Sequence, residues 1–358
     1  MQAAQEEFFG ATATTLQAAF RGNKARRLYG RVGQFDRYDC ALLEELVEEA
    51  EEDAGQAWEE PSDRKPVYRS ISVSLSVDTP IQVGGHGMLT KAKESADRLV
   101  KQVPHCEVMA YESVRGTPLE ELLAGYYGHE ARGLLYYVTL HDMTAGMVRP
   151  CVMDIKMGKR TFLESEVQAT KLRLDLADKM AKIDPEALTS DEREQGVTKL
   201  RYMQFREVRS SSASLGFRIE GATARGIPYP KCKEICQPTQ IANALHYFVQ
   251  SRAGLKEAFL RRCEEMRHAL AGSDWFMRHE IVGSSILFVY DDGYGYEREE
   301  AAATAAARMI DFAKTEPLPE GQSLTHTAPW ELGNREDGYL TGLDNLIAFW
   351  RDLDVTAA

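Results

Sequence analysis

The sequence predicts an α+β protein built as two lobes, on three observations. The chain has 358 residues, 44% of them hydrophobic and 27% charged, which is ordinary globular composition and long enough for two packed units. Over residues 66–145 strand-like segments flank one helical stretch. From 146 to 358 short apolar strands alternate with helices, and a helical stretch at about 162–200 is inserted between two of them. Three regions are therefore expected: an N-terminal extension (1–65), a small lobe (66–145) and a larger lobe (146–358) that carries the insertion.

Composition narrows the class. Six cysteines, Cys40, Cys106, Cys151, Cys232, Cys236 and Cys263, show no close, even spacing. A reduced, cytoplasmic protein is the expectation. Cys232 and Cys236 lack a second pair, so no metal site is read there. No apolar run approaches membrane-spanning length and no signal peptide pattern opens the chain. The net charge is −12, which disfavours nucleic acid as a partner. An anionic ligand would need locally gathered basic residues.

In the extension, Leu16, Phe20, Ala25 and Leu28 can share one helical stripe over 12–30, with Arg21, Lys24, Arg26 and Arg27 around it. Asp39 suits an N-cap for a second helix whose apolar face is Leu42, Leu43, Leu46, Val47 and Ala50. No Lys or Arg occurs from Glu44 to Glu60, and the whole of 39–65 reads as a solvated acidic helix and linker ending at Pro61–Pro66.

The small lobe opens on residues 67–77, where Ile71, Val73, Leu75 and Val77 alternate with serines as in a half-buried strand. A glycine-rich turn, Gly84-Gly85-His86-Gly87, precedes Lys91, without a P-loop's spacing. Lys101 follows a short apolar segment. Residues 108–124 read as a helix with Val108, Met109, Leu119, Leu122 and Leu123 inward. A strand over 133–140 ends at His141-Asp142-Met143. Strands, one helix and a linker strand suit a lobe that grips a nucleotide.

The larger lobe opens on Pro150-Cys-Val-Met-Asp154-Ile-Lys156-Met-Gly158. This is a buried strand in which Asp154 and Lys156, two apart, project from one face. Three further strands are expected: 211–221, 280–291 with Ser284 and Ser285 at its start, and 309–315, which delivers Asp311. A buried strand ending in Asp suits Mg²⁺, which takes one or two carboxylates plus phosphate oxygens and water.

Together these runs resemble the inositol polyphosphate kinase family. The Pro-x-x-x-Asp-x-Lys-x-Gly pattern at 150–158 is the family signature. Lys179-Met-x-x-Ile-Asp-Pro-Glu-Ala187, Val197-Thr-Lys-x-Arg-Tyr-Met-Gln-x-Arg-Glu207, Leu215–Gly221, Pro317–Gln322 and Asn334–Leu346 are similar to its inositol 1,4,5-trisphosphate 3-kinase branch. The resemblance is dense over 146–349, thin over 66–145 and absent from the first 65 residues.

The resemblance implies a kinase-like fold that phosphorylates the 3-hydroxyl of inositol 1,4,5-trisphosphate with ATP and Mg²⁺. It implies Lys156 at the transferred phosphoryl and the accepting hydroxyl, with Asp154 holding the nucleotide or orienting the reacting groups. Lys91 and Lys101 would reach ATP phosphates, Asp142 would lie at the adenine hinge, and Asp311 with Ser285 would hold the metal. The insertion would read the substrate through Arg173, Leu176, Lys199, Tyr202 and Arg206. Where relatives carry Lys after the Gly-Phe-Arg-Ile-Glu-Gly strand this chain has Thr223, with Arg225 and Lys231 as replacements; Leu176 stands where Met is usual. Residues 156–209 hold 12 Lys/Arg against 10 Asp/Glu, so any basic pocket must come from orientation. Separately, Leu16, Gln17, Phe20, Arg21, Gly22 and Arg26 resemble an IQ motif, which implies calmodulin or a similar EF-hand protein as partner. The alternatives are a multikinase of broader choice, against which the helical insertion speaks, and a calmodulin-binding scaffold with a dead kinase fold. Intact Asp154, Lys156, Ser285 and Asp311 speak against the second.

Overall fold

Residues 89–91, 95–133, 135–168, 170–293 and 298–355 are described by the structure, a computed structural model. The IQ-like helix, the acidic helix and the strand expected over 67–77 lie outside these residues. Strands β1 (Leu89–Lys91) and β2 (Arg98–Val103) are followed by helix α1 (His105–Val114), then β3 (Tyr126–Arg132) and β4 (Leu135–His141). The strands form one antiparallel sheet in the order β1-β2-β4-β3.

The helix expected over 108–124 is shorter. It stops at Val114, Gly116 turns through a left-handed φ of 73°, and Thr117 caps a separate 3₁₀ turn, Pro118–Leu122. Val108, Leu119, Leu122 and Leu123 are buried, but Met109 is 50% exposed. Val108, Tyr111 and Val114 define the inward face, and Met109 lies off it.

Strand β5 (Pro150–Met157) is the middle of the second sheet. Cys151, Met153, Ile155 and Met157 point into the main core, and Asp154 and Lys156 take the other face. Helices α2 (Glu164–Val167), α3 (Leu174–Ile183), α4 (Ser190–Gln195) and α5 (Lys199–Val208) follow. They bury a small core of their own, Leu176, Ala177, Met180, Leu188, Val197 and Phe205, separate from the main one. Gly196 is needed there. Its φ is +91°, and a Cβ would stand 2.5–2.7 Å from the backbone of Arg173 and Leu174. That closeness lets Arg173 and Val197 exchange backbone hydrogen bonds of 2.9 and 3.1 Å.

The strand expected from 211 starts late. Residues Ser212–Leu215 wind a single helical turn, α6, ended by left-handed Gly216, and β6 runs Phe217–Ala224. The chain continues through β7 (Ile227–Pro228), α7 (Pro238–Val249), α8 (Ala253–Ala271) and α9 (Asp274–Met277). The strand expected over 280–291 is two strands. Gly283, at φ +72°, separates β8 (His279–Ile281) from β9 (Ser285–Asp291). Helix α10 (Arg298–Ala303), β10 (Ala306–Ile310), β11 (Thr315–Pro317) and α11 (Tyr339–Asp352) complete the order. The second sheet is β10-β9-β5-β6-β7, all antiparallel, and β8 pairs with β11 instead. Helices α7, α8 and α11 cover its core face, where Phe259 packs against Phe248, Phe288, Tyr290 and Trp350. Helix α11 comes closest at Gly342, where a Cβ would meet the Gly216 carbonyl oxygen at 1.9 Å.

The segment joining the sheets is held from below. Both carboxylate oxygens of Asp291 accept main-chain bonds, from Val148 and Arg149, at 2.8 Å. Asp292 receives Arg149, Arg225 and Arg252.

Candidate active site

The candidate site lies on the face of the second sheet that the core does not use. Register sets Asp154 opposite Leu287 and Lys156 opposite Ser285 on one side, and Lys156 opposite Arg218 on the other. Between Asp154 and Ile155 the pairing with β6 shifts by one residue, and Glu220 is the residue left over. Such bulges re-aim side chains. This one brings a buried carboxylate to Lys156. Burial raises the Glu220 pKa, but Arg218, Lys156 and Lys233 more than offset it and hold the group down at about 2.

The first sheet supplies the opposite wall. Lys101, 9% exposed, extends its ammonium to Glu107 Oε1 of α1 at 2.8 Å and to Asp311 Oδ1 at 2.6 Å. Burial opposes its charge, but the two carboxylates hold its pKa well above the ordinary lysine value. Glu107 is itself pushed up by burial, against the pull of Lys101. Asp311 does not lie on a strand as expected. β10 ends at Ile310, and Asp311 takes a left-handed φ of 64°. That turn aims its carboxylate back at Lys101.

Asp154 is 2% exposed. Burial raises its pKa to about 7 and Asp311 adds to the rise, while the Ser285 hydroxyl and the Lys156 ammonium pull it back. Asp154 Oδ1 and Ser285 Oγ are both buried and face each other without a well-aligned hydrogen bond. Carboxylates crowded beside a poorly satisfied hydroxyl form a place that a cation would satisfy. The donor set is all oxygen, as Mg²⁺ requires, and few carboxylates suffice for it. Among the described residues no cluster of three or more His, Cys, Asp or Glu could hold an ion by itself.

The other expected residues are spread around this centre. Lys91 pairs its backbone with Leu99 on β1. Asp142 is buried in the linker turn, where its carboxylate accepts from Thr144 N and Oγ1 at 2.9 and 2.6 Å. Lys199, Tyr202 and Arg206 recur at helical spacing along α5, with Arg206 Nη1 3.4 Å from Tyr202 Oη. Lys199 meets Glu166 at 2.9 Å, and Lys314, three residues after Asp311, meets the same carboxylate at 2.8 Å. Arg173 is paired with Asp175. Leu176 is 6% exposed inside the insertion's core. Thr223 is buried, Arg225 turns to Asp292 and Lys231 to Glu234. The expected IQ residues lie outside the described region.

Sequence reading missed Glu107, Glu166, Glu220 and Lys314. Glu107 carried a faint signal, an acid in the first turn of a helix six residues after Lys101. The others looked like ordinary solvated charges.

A sequence profile described as inositol polyphosphate kinase matches residues 137–351. The chain belongs to the inositol polyphosphate kinase family. Within that family it is 40% identical over 279 residues to inositol-trisphosphate 3-kinase C of Mus musculus, covering 76% of this chain and 40% of that one. It is 39% identical over 320 residues to inositol-trisphosphate 3-kinase A of Homo sapiens, covering 85% and 66%. It is 38% identical over 282 residues to an inositol-trisphosphate 3-kinase homolog of Caenorhabditis elegans, covering 76% and 55%. This family member thus spans between 40% and 66% of the length of those three relatives. Among solved structures, the inositol phosphate multikinase Ipk2 of S. cerevisiae in complex with ADP and Mn²⁺ is similar at a TM-score of 0.47 and 17% identity, covering 71% of this chain and 98% of that one.

Proposed function

We propose that this chain is an ATP-dependent kinase that phosphorylates the 3-hydroxyl of inositol 1,4,5-trisphosphate, giving the 1,3,4,5-tetrakisphosphate. The observation that carries the reading is the meeting of the two sheets' charged groups: the Lys101–Asp311 contact at 2.6 Å, with Asp154 and Lys156 on neighbouring strand β5. The names of the 3-kinase relatives agree with it.

In this reading Asp311, Ser285 and Asp154 would hold Mg²⁺, which would neutralise charge on the phosphates. Lys101 holds the nucleotide phosphates from the other wall, and Glu107 keeps it charged and extended. Asp142 and its neighbours form the adenine hinge, and Lys91 lies on the same wall. Phosphoryl transfer needs mainly positioning and charge stabilisation. The 3-hydroxyl oxygen bonds to the γ-phosphorus as the β,γ-bridging bond breaks, ADP departs and the hydroxyl proton is released to solvent, while Lys156 steadies the oxygens of the group in flight. Lys199, Tyr202, Arg206 and Arg173 meet the substrate phosphates, and Leu176 shapes the pocket from within the insertion. Glu166 keeps Lys199 and Lys314 side by side until a phosphate takes them over.

A panel of inositol phosphates with ATP and Mg²⁺ tests the reading, the product position being assigned by phosphorus NMR. The trisphosphate should react fastest and gain its phosphate at the 3-hydroxyl, and a folded Lys156→Ala variant should lose turnover by about 10²–10³-fold. Equal use of bisphosphates and tetrakisphosphates would replace it with a multikinase, and no turnover with a scaffold. Calmodulin or a relative is the proposed regulatory partner, through residues 12–30. A peptide of residues 12–32 should bind it and lose affinity on Phe20→Ala with Arg21→Ala, by calorimetry. No binding with or without Ca²⁺ removes the partner. Among the described residues no helix is long and apolar enough to cross a membrane, and a cytoplasmic site of action is part of the proposal.

A further inference from the structure

The exit of the catalytic strand is fastened by a buried histidine that no step of the reaction uses. His326 is 0% exposed and takes a left-handed φ of 56° in the long connection between β11 and α11. Its Nδ1 lies 2.9 and 3.0 Å from the two carboxylate oxygens of Asp337, and its Nε2 lies 2.9 Å from the Phe276 carbonyl oxygen. A carbonyl can only accept, and so can an ionised carboxylate. Two acceptors, one on each ring nitrogen, require both nitrogens to carry protons.

Asp337 passes the hold onward. Its Oδ2 accepts from Ile281 N of β8 at 3.0 Å, and its Oδ1 from Tyr339 N at the start of α11 at 2.9 Å. Its main-chain oxygen accepts from Lys159 N at 2.8 Å and Arg160 N at 3.3 Å. These are the third and fourth residues after Lys156. The carbonyl of His326 accepts from Leu340 N and Thr341 N, tying the same point to α11. Beside it the Arg160 guanidinium meets Glu280 at 2.8 Å and the carbonyls of Arg335 and Glu336.

We infer that His326 is a positioning residue, a doubly protonated imidazolium that presses the Asp337 turn onto the exit of β5 and thereby fixes the reach of Lys156. The charged groups around it agree. Asp337 and Glu336 favour the cation. His279 lies close enough for the charge on His326 to lower its pKa, and Arg160 is neutralised by Glu280. Burial opposes the cation, but Asp337 and the Phe276 carbonyl outweigh it and raise the pKa of His326. A histidine whose folded pKa is raised contributes stability fully below 6.5, its ordinary value. That contribution is lost as pH rises through the folded value. The protonation stands on geometry alone; the effect on Lys156 rests on the kinase reading.

The experiment is ring-nitrogen NMR of the full chain labelled with ¹⁵N-histidine, followed from pH 6 to 9, with kinetics alongside. Of the eight histidines, one should keep both ring nitrogens protonated at pH 8, where exposed imidazoles are neutral. That signal should vanish in His326→Gln and lose a proton at neutral pH in Asp337→Asn. His326→Gln should lower kcat about 10–100-fold while KM for ATP stays within about twofold, since a shift of the order of 1 Å can cost 10²-fold. Wild-type kcat should fall along the same alkaline transition that the NMR follows. A wild-type chain with no doubly protonated histidine at pH 8 overturns the charge, whether or not a variant folds. An unchanged kcat in folded His326→Gln overturns the positioning role. Absence of any kinase activity in the wild type would instead count against the kinase reading and leave the NMR result intact.

Discussion

At the scale of single residues the site is built from charges in deliberate conflict. Asp154 is the clearest case. Burial and Asp311 raise its pKa from 3.8 to about 7. A carboxylate raised in the folded state contributes stability fully below 3.8, and that contribution is lost as pH rises toward 7. At 1.36 kcal/mol per unit the loss is on the order of 2–4 kcal/mol at pH 8. Asp154→Asn should therefore raise the melting temperature of the metal- and nucleotide-free protein at pH 8 and leave it little changed at pH 4, while turnover collapses. A variant no more stable than wild type at pH 8 would deny the strain. Asp154 and Lys156 were legible in sequence, because two positions on one strand face need no long-range information. The Lys101–Asp311 contact was not, since 210 positions separate its partners. Glu220 was hidden by a one-residue shift in pairing that only the assembled sheet reveals.

At the scale of elements, strands were easier to anticipate than their ends. The apolar run of β9 is plain in the sequence, but Gly283 divides it from β8 by a backbone turn that composition does not announce. The 108–124 helix failed at Arg115-Gly116-Thr117, where glycine and a capping threonine outweigh apolar spacing. The helices of the insertion were visible, yet their private core was not. Leu176 was read as a substrate contact from the resemblance, and nothing in its neighbourhood marks it as part of an enclosed core. Gly196 controls that unit. A methyl there would push against Arg173, strain a left-handed backbone and open the Arg173–Val197 pairing. Gly196→Ala should raise KM for the inositol phosphate about tenfold or more and leave KM for ATP within about twofold. Equal changes in both constants would mean that the insertion is not a separate reader.

At the scale of the whole molecule, the two sheets are joined by a short linker whose restraint is ionic. Asp292 is buried and receives three arginines. Burial raises its pKa, but Arg252, Arg225 and Arg149 more than offset it and keep the carboxyl below 3.8. A depressed carboxylate contributes stability above its unfolded value, and this is lost as pH falls below about 4. Asp292→Asn should cost roughly 2–3 kcal/mol at pH 7, less than a fully buried pair because Arg225 and Arg149 are partly exposed. It should also flatten the acid limb of the stability curve; an unchanged limb in chemical denaturation would show that the linker is held by Asp291 alone. The α+β class was legible from the order of strands and helices. The latch was not, because Arg149, Arg225, Arg252 and Asp292 read separately as surface charge. The touching glycines, Gly342 and Gly216, leave one more mark. Gly216 also accepts the hydrogen bond of Gly158 N at 2.8 Å, so the seat of β5 and the axis of α11 share a single point. Trp350, two turns along α11, is fully enclosed. Its fluorescence should therefore redden at the same denaturant concentration at which turnover disappears. The molecule carries an optical gauge for the strand that holds Lys156.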